Sequence, residues 1–106
     1  MKNSKNKTHA SLIRSDNKTN YHALERIVRS FSNHRRIQML TLLKSKPELS
    51  VEDISDILNI NYKTASEHIS RLAYAGLVLK RADGSSVRHK LTKRAESILM
   101  FLRTLE

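Results

Sequence analysis

Cysteine is absent from the 106 residues, proline occurs once and glycine twice. Without cysteine there can be no disulfide framework, no thiolate zinc site and no cysteine nucleophile. So few turn-forming residues exclude a many-stranded β fold and favour helices joined by a handful of turns. Long apolar runs are missing too. The longest, Ala75 to Leu79, is interrupted by Gly76 and cannot span a bilayer. The N-terminus is basic and polar with no apolar segment, so it does not read as a secretory signal. An intracellular, soluble protein is expected, cytoplasmic and associated with the nucleoid. No glycine-rich phosphate loop, metal cluster or nucleophile–base arrangement appears, which argues against an enzyme. The five histidines share no metal-ligand spacing, so neither a metal nor a cofactor is expected.

Basic residues are what the chain has in excess: 20 Lys+Arg against 10 Asp+Glu, a formal charge of +10. Such a balance suggests a polyanionic partner, nucleic acid being the commonest. The excess is patterned. Residues 1–20 carry +4, residues 21–43 add +3, residues 44–61 subtract 2, residues 62–94 add +6 and the last twelve come to −1. The length suits one domain, and 39% apolar residues allow a small core that a partner subunit would usefully extend.

Residues 1–20 are rich in Lys, Asn, Ser and Thr and cannot bury enough surface to offset ordering, so they read as a mobile basic arm. Residues 21–106 form the domain. Tyr21, Leu24, Ile27, Val28 and Phe31 make one helical stripe, ended by Ser32 and Asn33, both good N-caps. Ile37, Met39, Leu40, Leu42 and Leu43 cover most of a helical wheel and mark a buried central helix that Pro47 closes off. Ser50 with Asp53 looks like a capping box opening a short helix. After the turn Asn59-Ile60-Asn61, a helix from Tyr62 to about Ala75 places Ala65, Ile69 and Leu72 inward, and Gly76 stops it. Leu77–Arg81 and Val87–Leu91 alternate as strands joined by residues 82–86, with Asp83-Gly84 as the hairpin signal. Thr92 caps a last helix carrying Ile98, Leu99, Phe101, Leu102 and Leu105. The fold is therefore mainly α with a β-hairpin, in the order α-α-α-α-β-β-α.

Two short helices joined by a three-residue turn, the second with a polar outer face, are a helix-turn-helix. A basic hairpin directly after it makes it a winged one. The second helix fits a major groove, where its N-terminal side chains reach base edges. The hairpin then lies on the backbone or an adjacent minor groove, with Arg81, Arg88 and Lys90 near phosphates. The block of +6 coincides with these two elements.

Several stretches resemble the ArsR-type winged-helix repressors. Phe31-Ser-Asn-His-Arg-Arg-Ile-Gln-Met-Leu40 is similar to their "L-S-D-P-T-R-L-x-I-L" opening, and Glu48-Leu-Ser-Val-Glu-Asp-Ile54 to their "E-L-x-V-x-D-L" helix. Thr64-Ala-Ser-Glu-His-Ile-Ser-Arg-Leu72 and Ala75-Gly-Leu-Val78 resemble "T-V-S-x-H-L-x-x-L" and "A-G-L-V". Leu91-Thr92 before the last helix also fits and is shared with MarR-type and archaeal winged-helix regulators; the pattern does not separate these branches. The resemblance implies a homodimer built from the first and last helices, bound to an imperfect inverted repeat as a transcriptional regulator. It carries DNA-facing positions onto Tyr62, Lys63, Thr64, Ser66 and Glu67, and wing contacts onto Ser85, Ser86 and Arg88. The metal-sensing branch has cysteines where this chain has Ser50 and Glu52, and residues 93–106 lack the histidine of a second family site.

Glu67 could accept from a cytosine or pair with Lys63 and Arg71 at i,i+4. Arg71 falls on the polar face and joins the DNA-facing set. So does His68, at the flank of the buried stripe, where packing or a hydrogen bond competes. His89 is expected inward and structural. Apolar residues Leu24, Ile27 and Val28 on the first helix and Ile98, Phe101, Leu102 and Leu105 on the last exceed what one small domain needs, as a dimer interface would. The expected function is a sequence-specific, homodimeric binder of double-stranded DNA that acts as a transcriptional regulator. The alternative is an architectural or protein-interaction module without sequence preference.

Overall fold

A computed structural model describes residues 18–106. The expected basic arm therefore lies outside the described residues, except for its last three. Five helices and one hairpin follow: α1 (Tyr21–Phe31), α2 (His34–Ser45), α3 (Val51–Leu58), α4 (Tyr62–Tyr74), β1 (Val78–Asp83), β2 (Ser86–Leu91) and α5 (Lys93–Arg103). The order α-α-α-α-β-β-α is the expected one.

Each helix starts where a short polar side chain can satisfy its orphan N–H groups. Asn20 Oδ1 accepts from Ala23 N, Asn33 Oδ1 from Arg35 and Arg36, Asn61 Oδ1 from Lys63 and Thr64, and Thr92 Oγ1 from Ala95. The capping box before α3 is complete: Ser50 Oγ accepts from Asp53 N, and Asp53 Oδ2 accepts from Ser50 N, both at 3.1 Å. Those bonds to Ser50 hold the Asp53 carboxyl below its ordinary range. Ser50, one of the two positions to which the resemblance assigns metal-branch cysteines, is thus a capping residue.

α2 is the central helix. It touches α1, α4, α5 and β2. Its Met39, Leu40 and Leu43 are buried with Ile54 of α3, Ala65, Ile69 and Leu72 of α4, Leu77 and Val78, Leu91 of β2 and Ala95 of α5. This aliphatic core seats the inner face of α4 and so decides which face of that helix meets solvent.

The hairpin differs in detail from the expected one. The strands extend to Asp83 and from Ser86, so the loop is two residues, Gly84-Ser85, rather than five. Gly84 has φ +64 and Ser85 is not left-handed, the pattern of a turn with glycine at its first central position. Asp83 is thereby the last paired residue and not a turn residue. Polar, exposed strand ends carry no hydrophobic alternation, which is why the pattern undercounts them. No helix among the described residues is long and apolar enough to cross a membrane.

Candidate nucleic-acid interface

The helix-turn-helix is held by its turn. Asn59 ends α3 in the left-handed region with φ 54, which asparagine tolerates better than most residues. Ile60 N then donates to Ser55 O at 3.0 Å and Ser55 Oγ donates to Ile60 O at 2.6 Å. Ser55 is buried at that point, so the turn closes on α3 and sets the entry angle of α4.

The first two turns of α4 present Tyr62, Lys63, Thr64 and Glu67 to solvent, with Ser66 half-buried beside them. Among the described residues Lys63 and Glu67 carry no ion pair, so of the two alternatives for Glu67 the pairing with Lys63 or Arg71 does not form. A charged pair without internal partners at a helix start is available to an external one.

The later turns of the same helix differ. His68 turns toward α2, where Arg36 Nη1 donates to His68 Nδ1 at 3.0 Å. Burial first, and then the charge of Arg36, lower the pKa of His68. A neutral ring accepting from arginine is engaged internally, in contrast to the DNA-facing placement expected for it. Arg71 and Tyr74 are exposed and line a cavity shared with residues of α1, of which Lys63 is not a part. Arg71 thus lies at a cavity between helices and His68 at a bond to α2, rather than both in the expected DNA-facing set. The reason is angular: positions 68, 71 and 75 follow one another along the flank of the helix that abuts α1 and α2.

The wing is less freely cationic than its composition suggests. Arg81 and Arg88 lie directly opposite each other in the ladder, an unfavourable pairing of like charge. Carboxylates relieve it. Arg81 Nη2 and Nε donate to Glu48 Oε1 at 2.6 and 3.2 Å, and Arg88 Nε donates to Asp83 Oδ2 at 3.3 Å. Arg88 Nη1 also reaches Glu48 O at 3.3 Å. Glu48, in the left-handed region with φ 71, is a residue the sequence pattern marked only as part of a motif. Among the described residues Lys90 carries no ion pair; Lys90 and Ser85 are exposed and Ser86 is half-buried. Lys80 leans on α4 through Ser70 Oγ at 3.4 Å.

His89 anchors the wing, as expected from its inward position. It is 1% exposed, its Nδ1 lies 2.8 Å from Leu49 O, and its backbone exchanges hydrogen bonds with Glu48 and Leu49. Nδ1–H is therefore the donor of a neutral ring, and burial lowers the pKa against the opposing effect of that bond. Among the described residues no group of three or more His, Asp or Glu converges as a metal would require.

Comparison with known proteins agrees with this geometry. The sequence model "Bacterial regulatory protein, arsR family" matches residues 33–80. A putative arsenical resistance operon repressor of Halobacterium salinarum is 29% identical over 77 residues, covering 72% of this chain and 60% of that protein. The chain thus matches about three-fifths of the length of that curated relative. Among solved structures, the homodimeric winged helix-turn-helix DNA-binding domain of a possible ArsR-family regulator from Mycobacterium bovis superposes with a TM-score of 0.73 at 26% identity. That match covers 80% of this chain and 79% of the other. HlyU from Vibrio cholerae gives a TM-score of 0.71 at 27% identity, over 82% of this chain and 95% of its own. Residues 33–80 thus match the model of the ArsR family of bacterial regulatory proteins, within a winged helix-turn-helix fold shared with the Mycobacterium bovis domain.

Proposed function

We propose that the protein is a homodimeric, sequence-reading transcriptional regulator that inserts the first turns of α4 into successive major grooves of an inverted repeat. The observation that carries this reading is the state of Lys63 and Glu67: exposed, without an ion pair among the described residues and next to Tyr62 and Thr64, on a helix whose other face is locked in the core. Base edges offer such side chains the partners that the fold withholds. Ser66, small and half-buried, lets the helix approach closely. In the wing, Lys90, Ser85 and Ser86 are the ready backbone contacts. Arg81 and Arg88 must first loosen from Glu48 and Asp83, or act through the wing's residual field. His68 and Arg71 are left out of the interface.

The dimer is supported by apolar surface that the subunit leaves uncovered. On α1, Leu24 is 48% and Val28 is 54% exposed, while Ile27 packs inward. On α5, Phe101 is 57% and Leu105 is 66% exposed, with Leu102 half-buried and Ile98 against the core. A groove of about 810 Å³ between α2 and α5, lined partly by Ile37, Leu99 and Met100, continues that face. The similar Mycobacterium bovis domain is homodimeric. A second subunit would bury these side chains and fix two α4 helices about one DNA turn apart.

Selection of purified protein against a random duplex library tests the reading. The expected product is an inverted repeat with half-sites about 10 bp apart. Retained binding without enrichment would replace it with an architectural role.

A further inference from the structure

We propose that this protein binds a small phosphate-bearing anion in an arginine-lined cavity between α1, α2, α4 and the start of α5, separate from its DNA-facing surface. The cavity encloses about 450 Å³, well within the size of small-molecule sites (roughly 300–1,000 Å³). Arg26 and Arg29 of α1, Arg36 of α2, Arg71 of α4 and Arg94 of α5 all line it. Four helices thus contribute five arginines to one lining.

The charges are not balanced from within. Arg29 pairs with Glu25 on the outside of its own helix. Among the described residues, no carboxylate lines the cavity or forms an ion pair with the other four. Arg94 Nη1 donates to Ala75 O at 3.0 Å, and Arg36 is held by His68, yet the Arg36 Nε is buried without any partner. Burial, then the charge of Arg71, disfavour the Arg36 cation. The orphaned, buried N–H of Arg36 is costly unless a partner completes it, and the exposed arginines around it supply unneutralised positive charge at the mouth of the cavity. Guanidinium forks match the geometry of phosphate oxygens and bind them in pairs.

The cavity also specifies more than an ion. Ile27 adds an aliphatic wall, and Tyr74, 95% exposed at the rim, offers an aromatic face. A phosphate ester with a flat or apolar body fits both features. DNA backbone fits less well, because Arg71 stands eight residues, or about 12 Å, along α4 from Lys63 and faces α1. Binding of the anion stands or falls independently of the DNA reading.

The test is calorimetric titration of the full chain with inorganic pyrophosphate in chloride buffer. The expected result is one saturable site per chain, weakened about tenfold or more in Arg26→Gln/Arg71→Gln. Both side chains are exposed and donate no hydrogen bond among the described residues, so the variant keeps its core. The charge-matched Lys63→Gln/Lys90→Gln should bind pyrophosphate as the parent does. Absence of saturable binding would overturn the proposal, as would equal weakening in both variants, the mark of general charge attraction. No pyrophosphate binding together with a shallower salt dependence of DNA binding in Arg26→Gln/Arg71→Gln would assign the cavity to the DNA backbone and overturn it as well.

Discussion

The two ends of α4 share one helix and opposite circumstances. At its start, Asn61 caps the backbone, and Lys63 and Glu67 stand in solvent with no ion-pair partner among the described residues. At its end, His68 is bonded to Arg36, and Arg71 faces four other arginines across a cavity. Composition would call both ends polar and basic. The difference lies in what the rest of the chain brings near them: nothing at the first end, and α1, α2 and α5 at the second. Thirteen residues, Tyr62–Tyr74, therefore join a surface suited to a large external polyanion to a pocket suited to a small one.

The sharpest way to break the contrast is to unseat the helix. Ile69 and Leu72 are fully buried against α2 and α3, so Ile69→Ala should cost about 2–5 kcal/mol, a large share of the stability of a small domain. Urea unfolding should show a markedly lower midpoint, and DNA binding and cavity binding should fail together. Failure of only one would mean that the two ends are held separately.

Smaller, but local to the later end, is the glycine after the helix. Gly76 has φ +78, and a Cβ there would lie 2.8 Å from Arg94 Nη1. Gly76→Ala should lower stability by about 1 kcal/mol or slightly more, through backbone strain and displacement of Arg94 from the cavity wall. Thermal unfolding checks the first effect. DNA binding, measured at a temperature where the variant is folded, should change little.

At the start of the helix, Lys63→Ala should weaken binding to any duplex several-fold and reduce the slope of log K against log salt by about 1. Competition binding at three or four salt concentrations reads both. An unchanged slope would remove Lys63 from the phosphate contacts.

The smallest effect is in pH. Burial lowers the pKa values of His68 and His89, so between their ordinary value and the folded one the unfolded chain binds more protons. Stability is fully present above about pH 6.5, falls as pH drops below it, and levels off beneath the depressed values. Unfolding midpoints measured between about pH 8 and pH 5 should follow that course. A flat profile would contradict the buried, neutral state of both rings.

What could be read from the chain alone divides along the same line. Helix starts were legible because Asn33, Ser50, Asn61 and Thr92 act on N–H groups two or three residues away. The inner face of α4 was legible from spacing, since Ala65, Ile69 and Leu72 recur at helical intervals. The Arg36–His68 bond spans 32 positions and the Glu48–Arg81 pair spans 33. Nothing local marks such contacts. Each cavity arginine looks, in its own helix, like a solvated side chain; only the packing of α1, α2, α4 and α5 makes them one site. The hairpin register was missed for a local reason, because Asp83 and Ser86 pair while carrying turn-like chemistry.

The most direct test is an amide chemical-shift titration of the labelled protein with its selected duplex, read along α4 residue by residue. The account predicts the largest perturbations at Lys63 to Glu67 and at the Gly84–Ser85 wing tip, with small changes from Arg71 to Tyr74. The largest shifts at the C-terminal end of α4, with little change at Lys63 and Glu67, would contradict it.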